Sequence, residues 1–263
     1  MIVLPMAGRS RRFAEAGYKK PKFMLEAHGH SLLEHVVSGF HSVFGKEDFL
    51  FVALEEDGVE GFVRDCCSRL GLATGDFQVA NLKRPTEGQA QTIFEGLEAA
   101  SVPQDTPLTI FNIDTIRPDF RYPEAFSLED VDGYLEVFRA EGDGWSFVEP
   151  AKDGGPYDVS RVTEKLRISD LCSTGLYYFR AAELFLDAYR AVAAIPAAEL
   201  QGGERYVAPL YNRLLQNGCR IKYSEVSAED IIPCGVPDEY QAFLALQTSG
   251  DGSWLAGNRR PGF

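Results

Sequence analysis

An apolar run, Ile2-Val3-Leu4-Pro5-Met6, stops at Ala7-Gly8, and six cations follow within fourteen residues: Arg9, Arg11, Arg12, Lys19, Lys20 and Lys22. A short apolar run closed by glycine reads as a buried strand. The chain as a whole is acidic, with 39 Asp plus Glu against 26 Lys plus Arg, so the basic island stands out from its background. Cations crowded just past the carboxyl end of a strand call for an anionic ligand. Gly8 would let backbone N–H groups approach phosphate oxygens without a side chain in the way. Arg12 can fork onto phosphate, and Lys22 can bring a compact charge to a neighbouring one. A solvated basic loop has the same composition. The P-loop pattern G-x-x-x-x-G-K-[ST] does not occur.

The first half of the chain repeats this opening. Phe49–Ala53, Phe77–Ala80 and Leu108–Asn112 are further strand-like runs. Apolar residues at helical spacing predict helices over Ser31–Val43, Gly58–Leu70 and Gly88–Ala100. Such alternation implies right-handed crossovers and a mostly parallel sheet with helices on both faces. The second half reads differently. Gly133–Phe138, Trp145–Glu149, Val159–Glu164 and Leu176–Phe179 are strand-like and parted by Gly- and Asp-rich turns, which predicts a mixed or antiparallel extension. Helices are expected over Ala181–Ala193, Glu204–Asn217 and Asp238–Gln247, with a strand over Arg220–Val226. The expected fold class is therefore α/β: a Rossmann-like, mostly parallel mixed sheet flanked by helices, in one domain over 1–248. The stretch 249–263 is rich in Gly, Asn and Arg and reads as a loosely held tail.

Composition narrows the function. With 263 residues, 45% of them hydrophobic, the chain can bury a sizeable core. It has no apolar run of about eighteen residues, so no membrane span is expected. No leader is recognised ahead of the first strand, and a cytoplasmic location is expected. The five cysteines (Cys66, Cys67, Cys172, Cys219 and Cys234) are odd in number, irregular in spacing and without a C-x-x-C pair, which argues against a disulfide framework or structural zinc. A formal net charge of −13 disfavours nucleic acid as a partner, because that affinity comes from cations neutralising phosphates. His28, His30, His35 and His41 crowd together, but His28-Gly29-His30 reads as a turn and no acidic or Cys partner has ligand spacing.

Other candidates are ambiguous on position alone. Asp114 follows the strand ending at Asn112, where an open α/β sheet places its ligands. There it could hold Mg²⁺ against phosphates or serve as an ordinary turn residue. Glu164-Lys165 ends one strand and Ser173-Thr174-Gly175 begins another. Glu164, Lys165 and Gly175 could accept sugar hydroxyls, pair with a phosphate and allow close backbone approach. Taken without context, Glu164 and Lys165 read as a surface ion pair.

In order along the chain, these pieces resemble the sugar-1-phosphate nucleotidyltransferases. Gly8-Arg9-Ser10-Arg11-Arg12 stands where that family has Gly-x-Gly-Thr-Arg, and Pro21-Lys22 matches its Pro-Lys lysine. Gly88-Gln89-Ala90-Gln91 is similar to its Gly-x-Ala-Gln segment, whose Gln reads the nucleobase and falls on Gln91. Asn112-Ile113-Asp114, Glu164-Lys165 and Thr174-Gly175-Leu176-Tyr177 resemble its metal-binding Asp, its sugar-phosphate Glu-Lys and its Thr-Gly-Leu-Tyr strand. The resemblance covers residues 1 to about 240. Departures are Ser10 and Arg11 in place of Gly and Thr, and Pro233 where a second metal-binding Asp often stands, with Asp230 nearby.

The resemblance implies a nucleotidyltransferase fold of GT-A type, with 1–115 as the nucleotide-binding half and 116–248 as the sugar-phosphate half. It implies Mg²⁺-dependent condensation of an NTP with a sugar 1-phosphate, for surface-polysaccharide synthesis, by a monomer or small homo-oligomer. Arg12, Lys22 and Asp114 would be catalytic. Ala7, Gly8, Gly88, Gln91, Glu164, Lys165 and Gly175 would bind substrates, and Asp114 with Asp230 would bind metal. Rival readings are a cytidylyltransferase for a non-sugar phosphate such as phosphocholine, a glycosyltransferase with a related nucleotide half, and a non-catalytic nucleotide-sugar-binding regulator.

Overall fold

The computed structural model describes residues 1–246, so the tail over 249–263 lies outside the described residues. Strand β1 (Ile2–Pro5) leads through helix α1 (Arg11–Glu15) to a hairpin of β2 (Glu26–Ala27) and β3 (His30–Ser31), then to α2 (Leu32–Ser38). Next come β4 (Phe49–Leu54), α3 (Glu60–Leu70), β5 (Phe77–Leu82), α4 (Gln89–Ala99) and β6 (Leu108–Phe111). Five strands follow without a long helix between them: β7 (Thr115–Ile116), β8 (Gly133–Arg139), β9 (Ser146–Pro150), β10 (Val159–Glu164) and β11 (Leu171–Phe179). The described chain ends with α5 (Ala182–Ala193), α6 (Tyr211–Gln216), β12 (Ile221–Glu225), β13 (Ile232–Pro233) and α7 (Pro237–Ala245).

Nine strands form one sheet in the order β10-β9-β11-β6-β1-β4-β5, with β8 also beside β11 and β12 beside β8. Strands β6, β1, β4 and β5 are parallel. Strand β11 runs antiparallel to β6, β8 and β9, and β9 antiparallel to β10. The mostly parallel sheet with an antiparallel extension is thus the observed one.

Alternation along the strands fixes the layers, because successive side chains face opposite sides of a sheet. Ile2, Leu4, Phe49, Phe51 and Phe111 enter a core shared with α2, α3 and α7. Val3, Leu50, Val52 and Ile110 enter a second core shared with α4, α5 and α6. The outer strand β10 is shielded by a side chain: the Asn212 amide donates to Val162 O at 2.7 Å and accepts from Val162 N at 3.0 Å.

Four elements differ from expectation. Residues 11–15 form a short helix rather than loop, because Phe13 is buried against Tyr18 and Tyr240. Helix α2 stops at Ser38, since Gly39 packs directly against the Arg117 backbone carbonyl. Strand β11 starts at Leu171, not Leu176, and its register shifts between Ser173 and Tyr177. Helix is absent over 204–207: Arg205 donates its backbone N–H to Glu87 and accepts from Ala90, which draws the chain away before α6. Among the described residues no helix is long and apolar enough to cross a membrane.

Candidate active site

The carboxyl ends of β1 and β6 meet the loop that carries the cations. Ala7 is buried and Gly8 exposed, with open space where a Gly8 side chain would start. Ser10 stands at the position of the family's second glycine and adopts a left-handed conformation, φ 46°. That backbone state favours glycine, so a serine there carries strain. The Ser10 hydroxyl lies 3.4 Å from the Lys22 backbone N–H. Phe13 anchors α1 while Arg9, Arg11 and Arg12 remain exposed.

Pro21 precedes a 3-10 turn, Lys22–Met24, that turns Lys22 toward the sheet. Its Nζ reaches Asp114 Oδ2 at 2.7 Å. The Asp114 loop is fixed from the other side by the pairing of β7 with β13, with Pro233 opposite Thr115. Cys234 also donates its N–H to Asp114 O at 2.7 Å. Desolvation alone would raise the Asp114 carboxyl, but the Lys22 charge and hydrogen bond, with Arg12 contributing, hold it below the usual carboxylate range. Arg12, Lys22 and Asp114 are therefore brought into one electrostatic unit.

The segment before α4 approaches the same strand end. Gln89 donates its side-chain amide to Asn112, and Asn112 in turn lies against Gly175, φ 88°, leaving no room there for a Cβ. The close approach that Gly175 allows is thus to Asn112. Gly88, φ 131°, serves a similar end: a Cβ would fall 2.6 Å from the Arg205 backbone nitrogen. Gln91 is bonded locally, its Oε1 accepting from Glu87 N at 2.9 Å and its Nε2 donating to Glu95 at 2.8 Å.

Glu164 and Lys165 do not form the surface ion pair that their adjacency suggests. Glu164 is buried, and the Ser146 hydroxyl donates to its Oε2 at 2.5 Å. Burial pushes its carboxyl above the ordinary range, with Ser146 and Lys165 opposing. Lys165, φ 54°, turns outward, donates to the Tyr206 phenol and lies 4.5 Å from the centre of that ring. Tyr177 is buried between the two sides; desolvation first, then the Glu164 charge, pushes its phenol up to about 12.

Asp230 is exposed on a 3-10 turn, and its charge acts on the buried Glu136. Among the described residues no three His, Cys, Asp or Glu side chains cluster as a metal set. Of the four histidines, His35 is buried and donates from Nε2 to Ala27 O at 2.8 Å, while His41 is exposed. Sequence reasoning named Tyr177 only as part of a strand, and overlooked Gln89, Ser146, Gln201, Arg205 and Tyr206 as site neighbours. The paired glycines Gly202-Gly203, just ahead of the expected helix, were a turn signal for the last group.

No family model and no curated relative matches the chain. Among solved structures it is similar to the nucleoside-diphosphate-sugar pyrophosphorylase from Vibrio cholerae RC9, 47% identical over 93% of this chain and 99% of that one, with a TM-score of 0.86. An inositol-1-phosphate CTP transferase from T. maritima shares the fold at 14% identity, covering 92% of each chain, with a TM-score of 0.69. So does a UDP-glucose pyrophosphorylase complexed with UDP-glucose, at 15% identity over 92% of this chain and 96% of that one, with a TM-score of 0.69. With the level of identity to the Vibrio protein and the near-complete coverage of both chains, this chain belongs to the nucleoside-diphosphate-sugar pyrophosphorylase family of nucleotidyltransferases.

Proposed function

We propose that the protein condenses an NTP with a sugar 1-phosphate, releasing pyrophosphate and a nucleotide-sugar for surface-polysaccharide synthesis. The observation that carries this reading is the 2.7 Å Lys22–Asp114 pair beside the open face of Gly8, at the carboxyl end of the parallel strands. A phosphate oxygen of the acceptor attacks the α-phosphate of the NTP. That nucleophile is already an anion and needs no general base. The barrier lies in aligning two anions, so positioning and electrostatic stabilisation dominate.

In the free protein Lys22 and Asp114 neutralise each other. With substrates present, the ammonium turns to the α-phosphate, while exposed Arg12 grips the β- and γ-phosphates and the leaving pyrophosphate. Asp114, held ionised, suits Mg²⁺, which takes oxygen ligands and often few of them from protein. Pro233 offers no carboxylate, so phosphate oxygens would complete the set. When bound, the ion would neutralise charge between the phosphates. The backbone of Ala7 and Gly8 faces the triphosphate, and Gln91 reads the base by exchanging its bonds to Glu87 and Glu95, with Gln89, bonded to Asn112, two positions earlier at the start of α4. Glu164 accepts sugar hydroxyl hydrogens on the oxygen that Ser146 does not hold, and Lys165 leaves Tyr206 to meet the acceptor phosphate.

The test is pyrophosphate release from CTP, UTP, dTTP, GTP and ATP, each mixed with sugar 1-phosphates, inositol 1-phosphate and phosphocholine in Mg²⁺. Release with a sugar 1-phosphate is expected. Release with phosphocholine alone would replace the sugar by a non-sugar acceptor. NTP binding without release from any mixture would make the chain a regulator.

A further inference from the structure

Residues 201–206 touch both substrate sides at once. On the nucleotide side, Arg205 donates its backbone N–H to Glu87 O at 3.1 Å and accepts from Ala90 N at 2.8 Å. Its guanidinium is buried, pairs with the Glu87 carboxylate, and also donates to Ala193 O at 3.1 Å and Ile195 O at 3.0 Å. This clamp fixes the segment that contains Gly88, Gln89 and Gln91. On the acceptor side, Gln201 Oε1 accepts from the Glu164 backbone N–H at 3.0 Å, and Tyr206 holds Lys165. Gly202 packs under both: a Cβ there would lie 2.8 Å from the Tyr206 ring and 2.9 Å from Glu164 Cγ.

Two features make this segment more than a spacer. Gly202 and Gly203 sit at φ 78° and 75°, a region that side chains rarely adopt, so the strap has a bend of its own within its length. Arg205 and Tyr206 are neighbours joined by one planar peptide unit, so a shift of one carries the other. Tyr206 is bonded to the lysine that must move toward an acceptor phosphate. Arg205 is bonded to Glu87 and Ala90, where the chain enters α4 and carries Gln89 and Gln91.

We propose that 201–206 is a positioning strap that couples acceptor binding to nucleotide binding, with Arg205 and Tyr206 as its positioning residues. The inference rests on the two-substrate reading above. When Lys165 leaves Tyr206 for a phosphate, the strap resettles and the Glu87–Gln91 loop resettles with it. Each substrate then changes the affinity for the other by the same factor, as reciprocity of binding free energies requires.

The experiment uses Glu87→Gln, which weakens the nucleotide arm, and Tyr206→Phe, which removes the Lys165 bond and keeps the ring. Each variant should change the KM of both substrates about fivefold, with Tyr206→Phe, which frees Lys165 in advance, lowering that of the acceptor. kcat should stay within about twofold, and the double variant should change KM by a factor other than the product of the two. A merely structural role would lower Tm without this crossed effect. Variants that change only the KM of their own side, or that combine multiplicatively, overturn the strap. A wild-type protein that releases no pyrophosphate overturns the two-substrate reading instead. The strap is then judged by hydrogen exchange: Tyr206→Phe speeding the amides of 88–92 about fivefold supports it, and unchanged exchange overturns it.

Discussion

On the parallel side of the sheet, the two charges that meet, Lys22 and Asp114, are 92 residues apart in the chain. On the antiparallel side, Glu164 and Lys165 are adjacent, yet one is buried against Ser146 and the other turns out to Tyr206. Parallel strands all deliver their carboxyl ends to one edge, so distant residues converge there through topology alone. Strand β10 delivers a single end, and the positive φ of Lys165 splits its last two side chains apart. The Lys22–Asp114 side is thus prebuilt as a charge pair, whereas the Glu164–Lys165 side is held piecemeal, Glu164 by Ser146 at its carboxylate and Gln201 at its backbone N–H, and Lys165 by Tyr206.

The largest effect tests the prebuilt pair. Lys22→Ala and Asp114→Ala should each lower kcat/KM by at least ~100-fold, about 3 kcal/mol of transition-state stabilisation. Steady-state kinetics of both singles and the double should show strong non-additivity, since the two act as one unit. Near-normal turnover by either single variant, with its fold verified by circular dichroism, removes the basis of the contrast.

A smaller effect separates the sides by acidity. The Glu164 carboxyl lies above its ordinary value of 4.5 because of burial, and Asp114 lies below its ordinary 3.8 once desolvation is outweighed by Lys22. As pH falls, Glu164 therefore takes up its proton first. The acceptor KM should begin to rise while the NTP KM holds, in initial rates measured down the acid limb. Simultaneous loss of both affinities would place the two carboxylates on an equal footing. The smallest effect concerns Ser10. Ser10→Gly relieves the left-handed strain but gives up the hydroxyl beside Lys22 N–H, so thermal unfolding should show a net change within about 1 kcal/mol.

The α/β alternation was legible because it is written in local periodicity, two for strands and 3.6 for helices. Arg12, Lys22 and Asp114 were legible because each follows a strand or a proline at a readable boundary. The strap was not. Its residues from Glu204 onward fell in an expected helix, and Glu87, the partner of Arg205, lies 118 residues away. The start of β11 was hidden by Ser173-Thr174-Gly175, polar residues that are buried only because β8 and β9 flank them. Ser146 carries no local signal at all; its bond to Glu164 arises from the pairing of β9 with β10. The placing of Gln89 beside Asn112, with Gln91 turned to its own loop, depends on how α4 begins, and boundaries are what periodicity defines least well.

The contact of the basic loop with α7 has a consequence for how the protein is made. Phe13 and Tyr18 pack on Tyr240, Gln241 donates to the Tyr18 phenol at 2.8 Å, and the Tyr240 phenol donates to Glu26 O at 2.7 Å. Cys234 closes the Asp114 loop in the same region. Tyr18 therefore finds its partner Gln241 only after a further 223 residues have been made. The parallel strands can assemble while synthesis continues, but the basic segment is anchored only once α7 is made, and nascent or truncated chains ending before α7 would leave that cationic segment without its aromatic anchor on an otherwise acidic body.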